Sequence, residues 1–247
     1  MEWDAALYEK NHGFVAEYGN GLLKFVEPDP QQTILDVGCG TGTLTHELAT
    51  RAGRVVGVDA SPAMVDAARR AFPQIEFLVA DALELPFENQ FDVVFSNAVF
   101  HWIADHDRLL KTLRRVLKPG GRLVCEFGAR DNVAAIELAF ARACAEAGRA
   151  YVSRFTFPAA DAFAELLAAN HFTCGLVRAY DRPTILRDGA GGLRNWLRQF
   201  FADELQPLPE STQLALLDRT EDLARPRLWN GQAWVADYRR LRVVAHT

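Results

Sequence analysis

Short apolar runs alternate with helical stretches through residue 130, and this alternation constrains the fold more than any other feature of the chain. The apolar runs predict five strands, at Thr33–Val37, Arg54–Val58, Ile75–Val79, Phe91–Ser96 and Arg122–Phe127. Helices are predicted between them, as at Thr43–Arg51. Strands that are apolar throughout are typical of a parallel sheet covered on both faces. We therefore predict an α/β fold with a doubly wound, mostly parallel sheet.

The pattern changes beyond residue 130. Helices are predicted at Asn132–Ala147 and Ala160–Ala169, and strands at Thr173–Ile185 and Tyr238–Ala245. Residues 186–234 carry an aromatic helical pattern and are too long for a simple connection, which is typical of a functional lid. We expect one domain over residues 1–247, with a helical cap at 1–30 and a helical lid inserted at 186–234 between the last two strands.

Composition narrows the classes of partner. The formal net charge is −5 and no basic stripe is evident, which argues against a nucleic-acid substrate. No window approaches the ~18 apolar residues that span a bilayer, and the N-terminus lacks a signal-peptide layout. The four cysteines stand far apart, without histidines at ligand spacing, so we expect no metal site. These features predict a cytoplasmic protein without a membrane partner, as a monomer or a homodimer.

A glycine-rich turn follows the first predicted strand, in Leu35-Asp36-Val37-Gly38-Cys39-Gly40-Thr41-Gly42. Glycines let a strand turn sharply into a helix and let a ligand approach the backbone closely. The helix N-terminus beyond them offers unpaired N–H groups to a polar ligand. The turn alone is also compatible with a tight connection that binds nothing.

Asp59 follows the second predicted strand, where an acid can accept hydrogen bonds from both hydroxyls of a ribose. A helix-capping role is the alternative, but Ser61 already suits the cap. The combination with the glycine turn indicates an adenosine-bearing ligand, and both NAD and S-adenosylmethionine (SAM) fit this description.

Three observations favour SAM over NAD. The glycine spacing is G-x-G-x-G preceded by Asp36, rather than the G-x-G-x-x-G of dinucleotide folds. No lysine lies four residues after a tyrosine, so the catalytic pair of short-chain dehydrogenases is missing. Asp81 follows the third predicted strand, where it can accept a hydrogen bond from the adenine amino group; taken alone, it is as easily a turn residue.

The chain resembles the class I SAM-dependent methyltransferases. The matching motifs lie at residues 35–42, 57–62, 80–82, 91–97 and 117–121, in the order that the family has. The resemblance implies a Rossmann-like, seven-stranded sheet whose last two strands are Thr173–Ile185 and Tyr238–Ala245. It also implies SAM as cofactor, held by Asp36, Gly38, Gly40 and Gly42 near the methionine part, Asp59 and Ala60 near the ribose, Asp81 and Ala82 near the adenine, and Asn97 near the amino group.

A narrower resemblance links Ala98-Val99-Phe100-His101-Trp102 and Trp3 to Tyr8 to the branch that includes trans-aconitate methyltransferase. It suggests a small acidic acceptor. Enzymes that methylate amino groups of DNA bases carry Asn/Asp-Pro-Pro-aromatic after the fourth strand, where this chain has Ser96-Asn97-Ala98-Val99, which argues against base methylation.

The candidate residues for binding the methyl acceptor each have more than one possible role. His101 is a candidate general base, with a structural histidine as the alternative. Trp102 is a candidate ligand wall, Tyr8 a residue that closes over SAM or merely packs a helix, and Arg182 and Arg194 candidate anion ligands among a group that also holds Arg187 and Arg198. The function expected is methyl transfer to an oxygen, carboxylate or hydroxyl, of a small molecule. The alternatives are a SAM-binding regulatory protein that catalyses nothing and, more distantly, a nicotinamide-dependent dehydrogenase.

Overall fold

The computed structural model describes residues 21–247. They form two compact units. The first, which we call the sheet unit, comprises the described residues up to Ala129 together with Phe155–Ala179 and Leu241–Thr247. The second, the helical unit, comprises Arg130–Arg154 and Tyr180–Arg240.

The elements follow one another along the chain much as the sequence predicts. The strands are β1 Thr33–Val37, β2 Arg54–Asp59, β3 Glu76–Val79, β4 Phe91–Asn97, β5 Leu117–Gly128, β6 Thr173–Asp181, β7 Thr184–Ile185, β8 Val235–Ala236 and β9 Arg239–His246. The α-helices are α1 Thr43–Ala49, α2 Pro62–Ala71, α3 His106–Val116, α4 Ala134–Glu146, α5 Ala160–Ala169, α6 Gly192–Phe200, α7 Ala202–Leu205 and α8 Glu210–Leu228.

Seven strands form one sheet in the order β3-β2-β1-β4-β5-β9-β6. The pairs from β3 through β5 are all parallel, with Val37 of β1 opposite Val58 of β2 and Asp59 opposite Val79 of β3. Because these strands run in one direction, the residues that follow β1, β2, β3 and β4 meet at a single edge of the sheet. The predicted doubly wound, mostly parallel α/β sheet is confirmed.

Apolar side chains cover both faces of this sheet, as continuous apolar strands require. Leu35 and Val94 lie in a buried cluster that also contains Leu113 of α3 and Leu167 of α5. Alternate strand residues face the other way and pack with Leu48 of α1 and with Leu22 and Val26. Each such side chain contributes roughly 1.5–3 kcal/mol when it leaves water.

The helical unit contains α4, α6, α7 and α8, together with a small antiparallel sheet of β7 and β8. Helix α4 packs against α8, and Arg219 on α8 forms an ion pair with Glu146 at the end of α4, at 2.5 Å. Residues 186–234 thus contain the predicted helices. Their predicted position over the sheet edge, and the single domain over residues 1–247, stay predictions.

Two predicted elements were wrong in their bounds. The strand predicted at Thr173–Ile185 is two strands, because β6 ends at Asp181 and β7 pairs with β8 in the other sheet. Pro183 separates them, since proline has no N–H to donate to a ladder. Strand β5 begins at Leu117 instead of Arg122: Leu117 pairs with Phe91 and Arg122 with Val93, so residues 118–121 form a bulge opposite Asp92.

Among residues 21–247, no helix combines the length and the apolar character that crossing a membrane requires.

Candidate active site

The glycine turn connects β1 to α1 and is hydrogen-bonded to the end of β2. The backbone N–H groups of Gly38 and Cys39 both donate to the carbonyl oxygen of Val58, at 2.8 and 3.0 Å. Gly38, Gly40 and Gly42 have φ of 76°, 55° and 85°, in the left-handed region that favours glycine. The turn that the sequence predicts is therefore a fixed backbone structure.

The three glycines differ in what surrounds them. A Cβ at Gly38 would lie 2.1 Å from Cγ2 of Val99, and one at Gly42 would lie 2.8 Å from Cζ of Phe77, so packing excludes a side chain at both. Among residues 21–247, no atom lies within 4 Å of where a Cβ at Gly40 would be. These residues therefore leave open space over Gly40, as close approach of a ligand to the backbone requires.

Asp59, the last residue of β2, connects this turn to α2. Its Oδ2 accepts the N–H of Gly40 at 3.0 Å, and its Oδ1 accepts the N–H of Ser61 at 2.8 Å. Ser61 itself caps α2 through a hydrogen bond from Met64, as predicted. Burial raises the pKa of Asp59, although the two backbone hydrogen bonds oppose that shift. Each carboxylate oxygen has a further lone pair, so the group can still accept hydroxyl protons of a ligand.

Asp36 lies beneath the turn, on β1. Its side chain is buried and accepts a hydrogen bond from Thr45 Oγ1, at 2.7 Å. Burial raises the pKa of Asp36 to about 7, against the effect of the Thr45 hydrogen bond, and the negative charge of Asp59 adds to the rise. This carboxyl group thus titrates close to neutral pH. Its hydrogen bond with Thr45 connects β1 to α1, the two elements that flank the glycine turn.

The other predicted cofactor residues within 21–247 lie at the same edge. Asp81 follows β3, is exposed and accepts the Leu83 N–H at 2.8 Å, so it does form the turn that was its alternative role. Ala82 is half-buried and Ala60 exposed. Asn97 ends β4, opposite Glu126 of β5. Sheet order therefore brings these sequence motifs to one edge.

His101 lies in a short 3-10 helix, Phe100–Trp102, which follows β4. Its ring is buried, and Nδ1 accepts the backbone N–H of Gly128 at 3.3 Å. An N–H can donate only to a ring nitrogen without a proton, so the neutral ring carries its proton on Nε2. The Nε2 atom of the neutral His101 ring is therefore a hydrogen-bond donor. Nδ1, the nitrogen that could take up a proton, already accepts the Gly128 N–H.

Sequence comparisons identify the kind of site this is. A family model described as "Methyltransferase domain" matches residues 35–125. An uncharacterized methyltransferase of Schizosaccharomyces pombe is 32% identical over 99% of this chain and 97% of that protein. The chain belongs to the SAM-dependent methyltransferases. A trans-aconitate 2-methyltransferase of an Enterobacter species is 31% identical over 99% of this chain and 98% of that enzyme, which indicates the type 11 branch of the family.

The methyltransferase also shares its fold with solved structures. The geranyl diphosphate C-methyltransferase of Streptomyces coelicolor, crystallised with Mg²⁺, geranyl diphosphate and S-adenosyl-L-homocysteine, superposes with a TM-score of 0.57. The alignment covers 94% of this chain and 78% of that one, at 17% identity. This likeness confirms the predicted class I fold. The predicted cofactor, SAM, is confirmed by membership of the SAM-dependent methyltransferases. The space that the described residues leave over Gly40, beside the Asp59 carboxylate, fits that cofactor.

The predicted acceptor residues of the methyltransferase are divided between the two units. Trp102 is half-buried beside His101, with ring centroids 5.4 Å apart. Arg182 and Arg194 belong to the helical unit. Arg194 forms ion pairs with Glu221 at 2.7 Å and Asp218 at 2.5 Å, so its guanidinium has a structural role there. Tyr8 lies outside the described residues, as do most of the predicted helical cap residues.

Sequence reasoning missed two aromatic residues of the sheet unit. The rings of Phe155 and Phe157 lie 6.0 and 5.7 Å from the His101 ring, centroid to centroid. They belong to an irregular segment before α5, so no helical or strand periodicity marked them. The only available signal was the Phe-x-Phe pattern itself, which places two side chains on one side of an extended backbone.

Proposed function

We propose that this methyltransferase transfers the methyl group of SAM to a carboxylate oxygen of a small-molecule acid. The observation that carries the proposal is the hydrogen bond from Gly128 to His101, which occupies the ring nitrogen that would otherwise accept a proton. A carboxylate is already deprotonated at neutral pH and needs no base. A hydroxyl acceptor, the second candidate, would have to lose a proton to a base during the reaction.

The residues at the sheet edge would hold SAM in the manner that the family resemblance implies. Asp59 would accept the ribose hydroxyls, with Ala60 beside it. The glycine turn, supported by Asp36, would lie against the methionine part, with Asn97 close to its amino group. Asp81 and Ala82 would lie against the adenine. The lone pairs left on Asp59 and the open space over Gly40 support this assignment.

Bound SAM supplies a methyl group attached to a sulfonium sulfur. Transfer of the methyl group leaves that sulfur as a neutral thioether. The protein's contribution is then to hold the acceptor oxygen in line and to exclude water. Positioning of this kind supplies as much as about 7–11 kcal/mol in favourable model reactions. His101, as a neutral Nε2–H donor, would orient the acceptor carboxylate by donating a hydrogen bond to it.

The sequence-based assignment of His101 as a general base stays a prediction, and the hydroxyl acceptor depends on it. For His101 to take a proton at Nδ1, the Gly128 N–H would lose its acceptor and the buried ring would become a cation. Both changes cost free energy in a buried position. The donor role requires neither change, and we therefore favour the carboxylate.

The names of relatives support an acid as acceptor. The Enterobacter relative is a trans-aconitate 2-methyltransferase, and a relative from Hahella chejuensis is a malonyl-[acyl-carrier protein] O-methyltransferase. Arg182, in the helical unit, stays a predicted anion ligand. Arg194 is a weaker candidate, because an acceptor would have to compete with Glu221 and Asp218 for its guanidinium.

Replacing His101 with glutamine or alanine tests the donor role. The glutamine amide nitrogen reaches the position of Nε2 and can donate a hydrogen bond, but it cannot act as a base. We expect His101→Gln to keep kcat within about tenfold of the parent and His101→Ala to raise mainly KM for the acid, because only orientation is lost. Between pH 6 and pH 8, the parent's kcat should show no pH limb that the His101 variants lack, because the titration of Asp36 is common to all of them. Steady-state kinetics across that range measure all three.

His106→Gln is the matched control, since His106 is a second buried histidine, bonded through Nε2 to the Phe100 carbonyl oxygen at 2.9 Å. The His106→Gln variant shows how much a histidine-to-glutamine change by itself alters kcat and KM near this segment. A fall in kcat of about a hundredfold or more in both His101 variants, with a pH limb in the parent, would indicate a base and hence a hydroxyl acceptor.

A further inference from the structure

The chain turns sharply directly after β4, at Ala98. Its φ is 62°, in the left-handed region, where any residue other than glycine is strained. Asparagine and aspartate tolerate this region because their side chains can hydrogen-bond locally, but alanine has no such compensation. Strain of this kind persists only where the surroundings impose it, and it is concentrated at functional sites. The neighbours of Ala98 should therefore show what holds the turn.

Two contacts hold it, one on each side. The backbone N–H of Ala98 donates to the carbonyl oxygen of Glu126 on β5, at 2.7 Å. The next residue, Val99, packs on the glycine turn, because a Cβ at Gly38 would clash with both methyl groups of Val99. The left-handed turn thus directs the Val99 side chain into the space that the missing side chain of Gly38 leaves.

A buried hydroxyl adds a second link between the end of β4 and the glycine turn. The last register pair of β1 with β4 is Asp36 with Phe95. One residue further along each strand, Ser96 Oγ donates to the carbonyl oxygen of Val37, at 2.8 Å. The side chain therefore connects the two strands where their backbone pairing stops.

This link lies at the point where the strand order of the sheet reverses, between β1 and β4. Ligands of open α/β sheets bind in the crevice beyond the strand ends at such a point. Residues 96–99, which we call the β4 exit, therefore hold one wall of the crevice against the other.

We propose that the β4 exit holds the glycine turn in the conformation that binds SAM, with Ala98 and Val99 as positioning residues. The inference rests on the proposed placement of SAM against the glycine turn and does not depend on the acceptor. Val99 acts by packing on Gly38. Ala98 acts by keeping Val99 there, since alanine has fewer accessible backbone conformations than glycine.

Stability alone does not explain an alanine at this position. Glycine would adopt a φ of 62° without strain, so the alanine makes the fold less stable than it could be. It restricts the turn in return. A site that is already ordered loses less conformational freedom when its ligand binds, and its affinity is higher for that reason. The β4 exit thus exchanges stability for a preorganised cofactor site.

Ala98→Gly separates these two effects, because it should change them in opposite directions. We expect the Kd for SAM to rise about three- to tenfold, while the Tm stays equal to that of the parent or exceeds it. KM for SAM should rise with Kd, and kcat at saturating SAM should stay within about twofold. Calorimetric titration, thermal unfolding and steady-state kinetics of the full chain measure these quantities.

His171→Gly is the matched control. His171 also has a left-handed φ, 60°, but it is exposed and follows the end of α5 in the same unit. Glycine is favoured after a helix end, so this variant too should keep or raise the Tm. It should leave the affinity for SAM as in the parent.

Variants of Val99 test the packing contact itself. Val99→Ala removes both methyl groups that lie on Gly38 and should raise the Kd for SAM about fivefold or more. Val99→Thr keeps the branched shape of the side chain and should stay within about twofold of the parent. Val177→Ala is the control, because it makes the same truncation at a half-buried valine of β6, at the edge of the sheet.

Parent-like affinity for SAM in both Ala98→Gly and Val99→Ala would overturn the inference. A loss of affinity that follows the Tm through all variants, controls included, would overturn it as well, because a merely structural turn predicts that result. Asp59→Ala distinguishes the inference from the placement of SAM. Weaker binding in Asp59→Ala alone would leave that placement standing, whereas parent-like binding in all three variants would overturn both.

Discussion

Replacing Asp59 with alanine is expected to weaken SAM binding at least tenfold, which is about 1.4 kcal/mol. The carboxylate ends β2 at the edge where the glycine turn lies and still has lone pairs for two ribose hydroxyls. The substitution also removes the acceptor of the Gly40 N–H, so the turn loses a fixed contact. Asp59→Asn keeps one acceptor oxygen and should lie between the parent and Asp59→Ala. Calorimetric titration with SAM measures the affinity.

Asp92 provides the matched control for this change. It too is a carboxylate on the sheet that accepts a backbone N–H, from Thr33 at 2.8 Å, and it pairs with Lys118. It lies near the start of β4, at the opposite edge of the sheet from the glycine turn. Asp92→Ala should lower stability without changing SAM affinity. An unchanged affinity in Asp59→Ala would remove Asp59 from the cofactor site.

Replacing Asp36 with asparagine is expected to change how stability depends on pH. The pKa of Asp36 is raised by burial to about 7 in the folded protein, from 3.8. A raised carboxyl pKa means that the folded state binds more protons, so the free energy of unfolding falls as pH rises from 3.8 to 7. Asparagine cannot ionise and can still accept the Thr45 hydrogen bond. From pH 5 to pH 8, the variant should gain about 2–3 kcal/mol relative to the parent.

Denaturant unfolding at pH 5 and pH 8 measures this gain in the free energy of unfolding. Asp92→Asn is the control, because the pKa of Asp92 is shifted in the opposite direction. Burial alone would raise the pKa of Asp92, but hydrogen bonds from Lys118 and Thr33 outweigh it and lower the pKa. Its contribution to stability is therefore constant above pH 5 and is lost only in acid. Equal pH dependence in the parent and in Asp36→Asn would show that Asp36 is not the buried titrating group.

The parts of the fold that sequence predicted best are those with a local physical cause. Strand β1 and helix α5 have the predicted bounds, because a mostly apolar run before a glycine turn specifies the strand and a regular apolar face specifies the helix. The edge on which the motifs meet also follows from sequence, since parallel strands bring their carboxyl ends together. The turn at Gly38 to Gly42 could be placed because its positive φ angles require glycine.

The parts that sequence could not fix depend on distant partners. Pro183 marks an interruption after β6, but the pairing of β7 with β8 in another sheet has no local signal. The bulge at residues 118–121 looks like a plain turn until Asp92 is seen opposite it, bonded to Lys118. The tautomer of His101 depends on Gly128, and its ring contact with Phe155 depends on an irregular segment far along the chain. Such contacts are tertiary and have no periodic signature.

The structure of the methylated product tests the central claim most directly. The full chain is incubated with SAM labelled in its methyl group and with a panel of small acids, phenols, alcohols and amines, and the labelled product is isolated and characterised by mass spectrometry and NMR. We expect a methyl ester, which mild alkali hydrolyses to labelled methanol and the original acid. A labelled methyl group on an ether oxygen, a nitrogen or a carbon, stable to the same alkali, would contradict the account.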